Sequence, residues 1–149
     1  MGYHDQQDVQ SWLPVIYGWN LLLDENGGPN IGPFFCGGLA TLDSRTGELT
    51  YSGQYKALAH FSRFVQRGAT VHGTRVVNDG PDMSMYGREV FLLVETCALR
   101  NPDGILNLVI VNPNRFKRQM QVRQGGEWWY IEMLPESVST VVFEKDNGS

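Results

Sequence analysis

The sequence contains no run of the ~18 consecutive apolar residues that a membrane-spanning helix requires. Its opening, MGYHDQQDVQ, lacks the basic-then-apolar order of a secretory leader. A soluble chain without a membrane span is therefore expected, with its compartment left open. Basic residues are few and scattered: 12 Lys+Arg against 16 Asp+Glu give a net charge of -4. Without a dense basic run there is no electrostatic footprint for nucleic acid. Cysteine is scarce too. Cys36 and Cys97 stand far apart and outside any CxxC or Cys/His pattern, so neither a zinc site nor a disulfide framework is signalled, and both are expected as small buried apolar side chains. His4, His60 and His72 share no metal-ligand spacing. No metal and no cofactor are expected. The nucleophile elbow GxSxG, the HExxH pair and the P-loop are all missing.

What remains is enough to fold. Of 149 residues, 42% are hydrophobic and 19% charged, a balance that supplies a core and excludes a disordered tail. The front third is unusual. SWLPVIYGWNLLL, Ser11–Leu23, is nearly all apolar, as in a strand buried on both faces of a parallel sheet, and such a strand cannot exist alone. DENGGPNIGPFFCGG, Asp24–Gly38, is too rich in Gly, Pro and Asn for a helix or a central strand and reads as a long ordered loop, a kind of segment that is commonly functional. Residues 39–42 form a short strand leading to a turn at Thr46-Gly47. Ser52 then caps a helix over 53–66, with Tyr55, Leu58, Phe61 and Val65 as its apolar stripe and Gly68 as its left-handed terminator.

Beyond Gly68 the period drops from about 3.6 to 2. Six strands are expected, at 70–77, 89–99, 105–112, 116–122, 127–134 and 138–144. Their separators are turn chemistry: Asn101-Pro102-Asp103-Gly104 fits a type I turn, Asn112-Pro113-Asn114 a corner, and Gln124-Gly125-Gly126 a tight hairpin. In 116–122 the polar residues Lys117, Gln119 and Gln121 alternate with Phe116, Arg118, Met120 and Val122, which marks a half-exposed antiparallel strand. Six short strands joined by hairpins make a β-sandwich or a small barrel.

Candidate chemistry is thin. A hydrolase needs two carboxylates ~5–9.5 Å apart or an activated nucleophile. The loop's one acid pair, Asp24 and Glu25, consists of sequence neighbours, and Asp in such a turn ordinarily caps backbone amides. Glu89, Glu95, Glu127 and Glu132 fall at solvated strand positions, His60 on the helix reads as a packing histidine, and His72 sits within a strand. Aromatic residues offer another route, because sugar rings stack on Trp and Tyr while their hydroxyls bond to Asn, Asp and Gln. In Trp128-Trp129-Tyr130 the outer two side chains share one strand face and Trp129 takes the other. If Trp129 points inward, Trp128 and Tyr130 form an outside platform; the reverse is equally compatible, and burial of the whole run against the helix is the expectation preferred to either. Trp19-Asn20, at the end of the buried strand and before the loop, is the more pointed candidate.

These residues also carry a resemblance. The strings YGWNLLLDENGGPN (17–30), GPFFCGGLATLDSRTGEL (32–49) and SGQYKALAHFSRFVQRGA (52–69) resemble the carboxyl-terminal portion of glycoside hydrolase family 30, which contains glucosylceramidases and related retaining β-glycosidases. Residues 100–104, 108–112 and 134–142 look like later segments of the same family. The resemblance implies a mainly β chain: an antiparallel β-sandwich with one helix and an orphan amino-terminal strand and loop from an incomplete (α/β)8 barrel. Residues 15–23 would be the final barrel strand and 53–66 the final barrel helix. Residues 1–68 would then be the barrel remnant and 69–149 the sandwich, together small enough to pack as a single domain.

Family catalysis, as the resemblance implies it, uses two glutamates on the fourth and seventh barrel strands, and no residue here matches either. Trp19 matches a tryptophan lining the family's sugar pocket; Asn20 and the loop to Asn30 adjoin it. The expectation is a non-catalytic structural or carbohydrate-contacting module, with no hydrolysis in isolation because the acid/base and nucleophile are missing. Substrate-binding candidates are Trp19, Asn20, Asn30, Trp128 and Tyr130. Expected partners are a carbohydrate or glycolipid, and either a barrel portion or a second copy of the chain covering the apolar front segment. The alternatives are a split hydrolase active only with its barrel, and a free-standing carbohydrate-binding module. At least one unpaired sheet edge or a compensating dimer contact is also expected.

Overall fold

In the computed structural model, which describes residues 20–30, 32, 36–77 and 94–144, the chain divides into two compact units between Arg63 and Phe64. The division expected after Gly68 thus falls earlier. The reason lies in two buried amides: Asn101 Nδ2 donates to Phe64 O at 2.9 Å, Asn107 Nδ2 to the same oxygen at 3.2 Å, and Gln66 N donates to Asn101 Oδ1 at 3.0 Å. Residues 64–66 are therefore hydrogen-bonded to the second unit's strands.

The first unit is a mixed three-stranded sheet with one helix. Strand β1 (Leu22–Asp24) pairs in parallel with β2 (Ala40–Leu42), and β2 pairs antiparallel with β3 (Leu49–Tyr51). The expected orphan strand therefore has a neighbour over its described part, because the long Gly/Pro loop is a crossover of sufficient length to bring β2 alongside it. Nor is it buried on both faces there: Leu23 is 4% exposed, but Leu22 is 46% and Leu21 74% exposed. The rest of the apolar segment, including Trp19, lies outside the described residues.

The β2–β3 turn is built by Asp43, whose Oδ1 accepts from Arg45 N at 2.9 Å and Thr46 N at 2.8 Å, an Asx turn. Ser52 then caps α1 (Gly53–Ser62), its Oγ accepting from Tyr55 N at 3.2 Å. The helix is four residues shorter than expected. Its C-cap is Arg63, in right-handed conformation, and Gly68 with φ +88° serves a later turn instead. Of the expected stripe Val65 lies beyond the end of the helix, and Tyr55, Leu58 and Phe61, which are on it, all remain exposed.

The second unit is the β-sandwich. One antiparallel sheet has the order β4 (Thr70–His72), β5 (Glu95–Arg100), β6 (Leu106–Asn112), β9 (Ser137–Phe143); the other is the hairpin β7 (Arg118–Gln124) and β8 (Glu127–Met133). Every expected strand is found, with 70–77 shortened to three residues and residues 89–93 outside the described set. The reserved two-residue loop Gly125-Gly126 has φ +60° and +93°, the double left-handed conformation that a tight hairpin requires. Gly104 N donates to Asn101 O at 2.9 Å, closing the expected turn.

The core forms between the sheets. Ala98, Leu106, Leu108, Ile110 and Met133 are buried, and Met120, Val122, Ile131, Val141 and Phe143 pack against them. Each Leu, Ile or Met side chain in this core contributes roughly 1.5–3 kcal/mol when fully buried. β6, between β5 and β9, is buried along nearly its whole length. Asn112 anchors the far corner, its Nδ2 donating to Leu134 O at 2.7 Å and Phe116 O at 3.0 Å. Among the described residues no strand pairs with the outer side of β9. The two cysteines are half-buried rather than fully buried, because Cys36 follows the loop and Cys97 lies on the face of β5 opposite the core.

Candidate functional site

In the first unit the loop after β1 is organised by its own acidic residues. Asp24 Oδ1 accepts from Asn26 N at 2.9 Å and from Gly28 N at 2.7 Å, so the capping role expected of it is the one observed. Glu25 accepts from Ser44 N at 2.9 Å and Ser44 Oγ at 2.7 Å. The Ser44 amide, then its hydroxyl, holds the Glu25 carboxyl below its ordinary range. Both acids are engaged with backbone, and neither is arranged as a member of a catalytic pair. Asn30 is exposed, and its Nδ2 donates to Gly27 O at 2.8 Å.

Asn20 is half-buried with φ +62°, a left-handed conformation that Asn tolerates better than most residues. Its carbonyl accepts from Leu39 N at 3.0 Å. Together with Cys36, Leu39, Leu58 and Phe61 it lines an apolar cavity of about 540 Å³ under the exposed face of α1. Trp19 itself lies outside the described residues. His60 is half-buried on α1, and His72 is exposed on β4.

In the second unit the parity of β8 is settled. Trp129 is turned inward, its ring meeting Phe143 edge to face at 5.0 Å between centroids. Trp128 and Tyr130 therefore face out, 56% and 81% exposed. Burial of the whole aromatic run does not occur. The register places Arg123 opposite Trp128 and Gln121 opposite Tyr130. The Arg123 guanidinium lies over the Trp128 ring at 5.5 Å, a cation–π contact that limits the ring's freedom. Further along the same face Lys117 Nζ bonds Glu132 Oε1 at 2.8 Å, and this contact lowers the Glu132 pKa.

This face thus offers two aromatic rings, an amide and a guanidinium, the mixture that binds sugar rings by stacking and hydroxyls by hydrogen bonds. Arg123 and Gln121 were not among the candidates read from the sequence. The signal was available, because a two-residue hairpin at Gly125-Gly126 fixes the register and puts both opposite the aromatic pair. Among the described residues no three His, Cys, Asp or Glu side chains converge as metal ligands.

No protein-family model matches the chain. Curated relatives do. An endo-1,6-β-D-glucanase of Neurospora crassa is 30% identical over 141 residues, 90% of this chain and 28% of the relative. A putative glucosylceramidase of Caenorhabditis elegans is 27% identical over 142 residues, 93% of this chain and 25% of the relative. The crystal structure of SrfJ from Salmonella typhimurium superposes with a TM-score of 0.72 at 25% identity, covering 85% of this chain and 25% of SrfJ. The chain matches the carboxyl-terminal portion of glycoside hydrolase family 30 proteins.

The family 30 match carries the fold class with it: a mostly β chain with antiparallel sheets and one helix. The chain spans about a quarter of the length of the relatives it matches. The loop of Asn20 and Asn30 belongs to the first unit, and the face of Trp128 and Tyr130 to the second.

Proposed function

We propose that the chain acts as the non-catalytic carboxyl-terminal part of a longer β-glycosidase, hydrolytic only together with a barrel portion. The observation that carries this reading is the apolar surface of the first unit. Leu58 and Phe61 line an apolar cavity while remaining exposed, Leu21 and Leu22 of the same unit are exposed as well, and a monomer of this size rarely leaves extensive apolar surface uncovered. A barrel portion, three times longer than the matched quarter in the relatives, is the covering partner that the comparisons favour over a second copy. The names of those relatives point to β-linked glucose as the substrate class.

The test is a complementation assay. The chain alone is expected to release no glucose from β-1,6-glucan or from a fluorogenic β-glucoside. Co-expression with the preceding three-quarters of the Neurospora relative should restore turnover and a stable complex. Turnover by the isolated chain would overturn the reading.

A second role is favoured by one specific observation, the outward Trp128 and Tyr130. Rings so exposed contribute nothing to the core, and their amide and guanidinium neighbours suit a saccharide surface. The chain would then hold glucan while the barrel portion cuts it. Retardation in glucan-containing native gels, lost in Trp128→Ala with Tyr130→Ala, checks this.

A further inference from the structure

The turn after β1 closes on a single residue. Asn26 N donates to Asp24 Oδ1 at 2.9 Å, Gly27 N to Asp24 O at 3.0 Å and Gly28 N to Asp24 Oδ1 at 2.7 Å, while Asp24 N donates to Gly28 O at 2.7 Å. The amides of three consecutive residues are thus held by one aspartate. Gly27 is buried against the backbone of Cys36, and Asn26 beside it is exposed. Neither the glycosidase role nor the saccharide-holding role gives Asn26 anything to do.

An asparagine followed by glycine carries a reaction of its own, because glycine has no Cβ to keep its amide nitrogen away from the preceding side chain. Once hydroxide has taken its proton, the Gly27 nitrogen can attack Asn26 Cγ. The new N–Cγ bond closes a succinimide ring, and the Cγ–Nδ2 bond breaks as Nδ2 takes a proton from water and leaves as ammonia. Water then opens the ring at one of two carbons. Breaking the N–Cγ bond gives an ordinary aspartate at position 26. Breaking the bond from the same nitrogen to the main-chain carbonyl carbon gives isoaspartate, with one extra methylene in the backbone.

We propose that Asn26 is a deamidation site gated by Asp24: the closed turn blocks the reaction, and opening of the turn starts it. The Gly27 N–H must be free to ionise and its nitrogen free to swing toward Asn26 Cγ. In the closed turn that N–H is committed to Asp24 O, and the residue is wedged against Cys36. Conversion is not undone when the turn closes again. The new carboxylate joins Asp24 and Glu25 as a third consecutive negative charge. In the isoaspartate product the extra methylene also lengthens the chain between the two amides that share Asp24 Oδ1. Asn30 is affected next, since its Nδ2 donates to Gly27 O at 2.8 Å. The site records time spent open, and it does so independently of any glycosidase role.

The experiment incubates the full chain in heavy-oxygen water at mildly alkaline pH, with and without urea. Peptide mass spectrometry reads conversion of Asn26, and amide exchange is followed in parallel samples. The folded chain should convert at least about tenfold more slowly than the unfolded chain. In urea below the unfolding transition, conversion of Asn26 and exchange of the Gly27 amide should rise by the same factor, because both need the same opening. Asp24→Ala, with amide protection retained in β2, should convert about fivefold faster or more, and Asp24→Asn, which keeps an Oδ1 acceptor, should stay near the parent. Equal rates in folded and unfolded parent, no conversion in the unfolded chain, or exchange at Gly27 that rises without a matching rise in conversion would each overturn the assignment. A folded Asp24→Ala variant with the parent's rate would do the same. The first three readouts use the parent alone and decide the matter even where Asp24→Ala fails to fold.

Discussion

Trp129 and Phe143 meet edge to face, with their planes at 68° and their centroids 5.0 Å apart, and this contact between β8 and β9 decides which way the aromatic run faces. It is a core contact, worth about 0.5–1.5 kcal/mol beyond the area it buries. Trp129→Ala should destabilise the protein by about 2–3 kcal/mol, since truncating a large aromatic in a core costs up to ~5 and Trp129 is half-buried. Tyr130→Ala, one residue away, should stay within about 0.5 kcal/mol of the parent. Urea denaturation of the two variants measures the contrast.

Asn112 supports a second prediction. It is fully buried, and its one amide serves Phe116 O and Leu134 O while its Oδ1 accepts from Asn114 N at 3.1 Å. Asn112→Ala leaves several buried polar groups without this partner, each costing about 1–3 kcal/mol. A loss of at least about 2 kcal/mol is expected in chemical denaturation, and Asn112→Asp should not rescue it, because a carboxylate cannot donate to the two carbonyls.

Gly27 gives a local test in the loop. Its φ is +78°, and a Cβ there would sit 2.7 Å from Cys36 O and 2.9 Å from Cys36 N, both backbone atoms. Gly27→Ala should therefore shift the loop and cost about 1–3 kcal/mol. Amide exchange should speed up at Gly28 and Leu39 and stay unchanged in β5 and β6.

The Glu25 contact predicts a pH dependence. Hydrogen bonds from the Ser44 amide and hydroxyl lower the carboxyl's pKa in the folded chain. A depressed folded-state pKa stabilises at pH values above the unfolded pKa of about 4.3, and that contribution is lost as pH falls through the lower folded value. Protection of the Ser44 amide from exchange should thus hold from neutral pH down to the ordinary carboxylate range and decline below it. In Glu25→Gln it should be weak and independent of pH over the same range.

Much of the second unit is legible in the sequence, because hairpin signals are local. Asn101-Pro102-Asp103-Gly104 and Gln124-Gly125-Gly126 mark the turns through Pro and Gly conformations that need no tertiary partner. The cap at Ser52 is equally local, a side-chain oxygen meeting an amide three residues on. The end of α1 is not. Phe64, Val65 and Gln66 continue the helical pattern, but Asn101 and Asn107, more than thirty positions away, take the Phe64 carbonyl and the Gln66 amide.

The sequence by itself determined the strand periodicity, the turns and the fact that Trp128 and Tyr130 share a face, since alternation follows from backbone geometry alone. Only tertiary structure decided that this face is the outer one and that β1 has β2 beside it. Period-2 alternation is symmetric between the two faces of a strand, and the symmetry is broken only when a long-range neighbour, here Phe143, buries one of them.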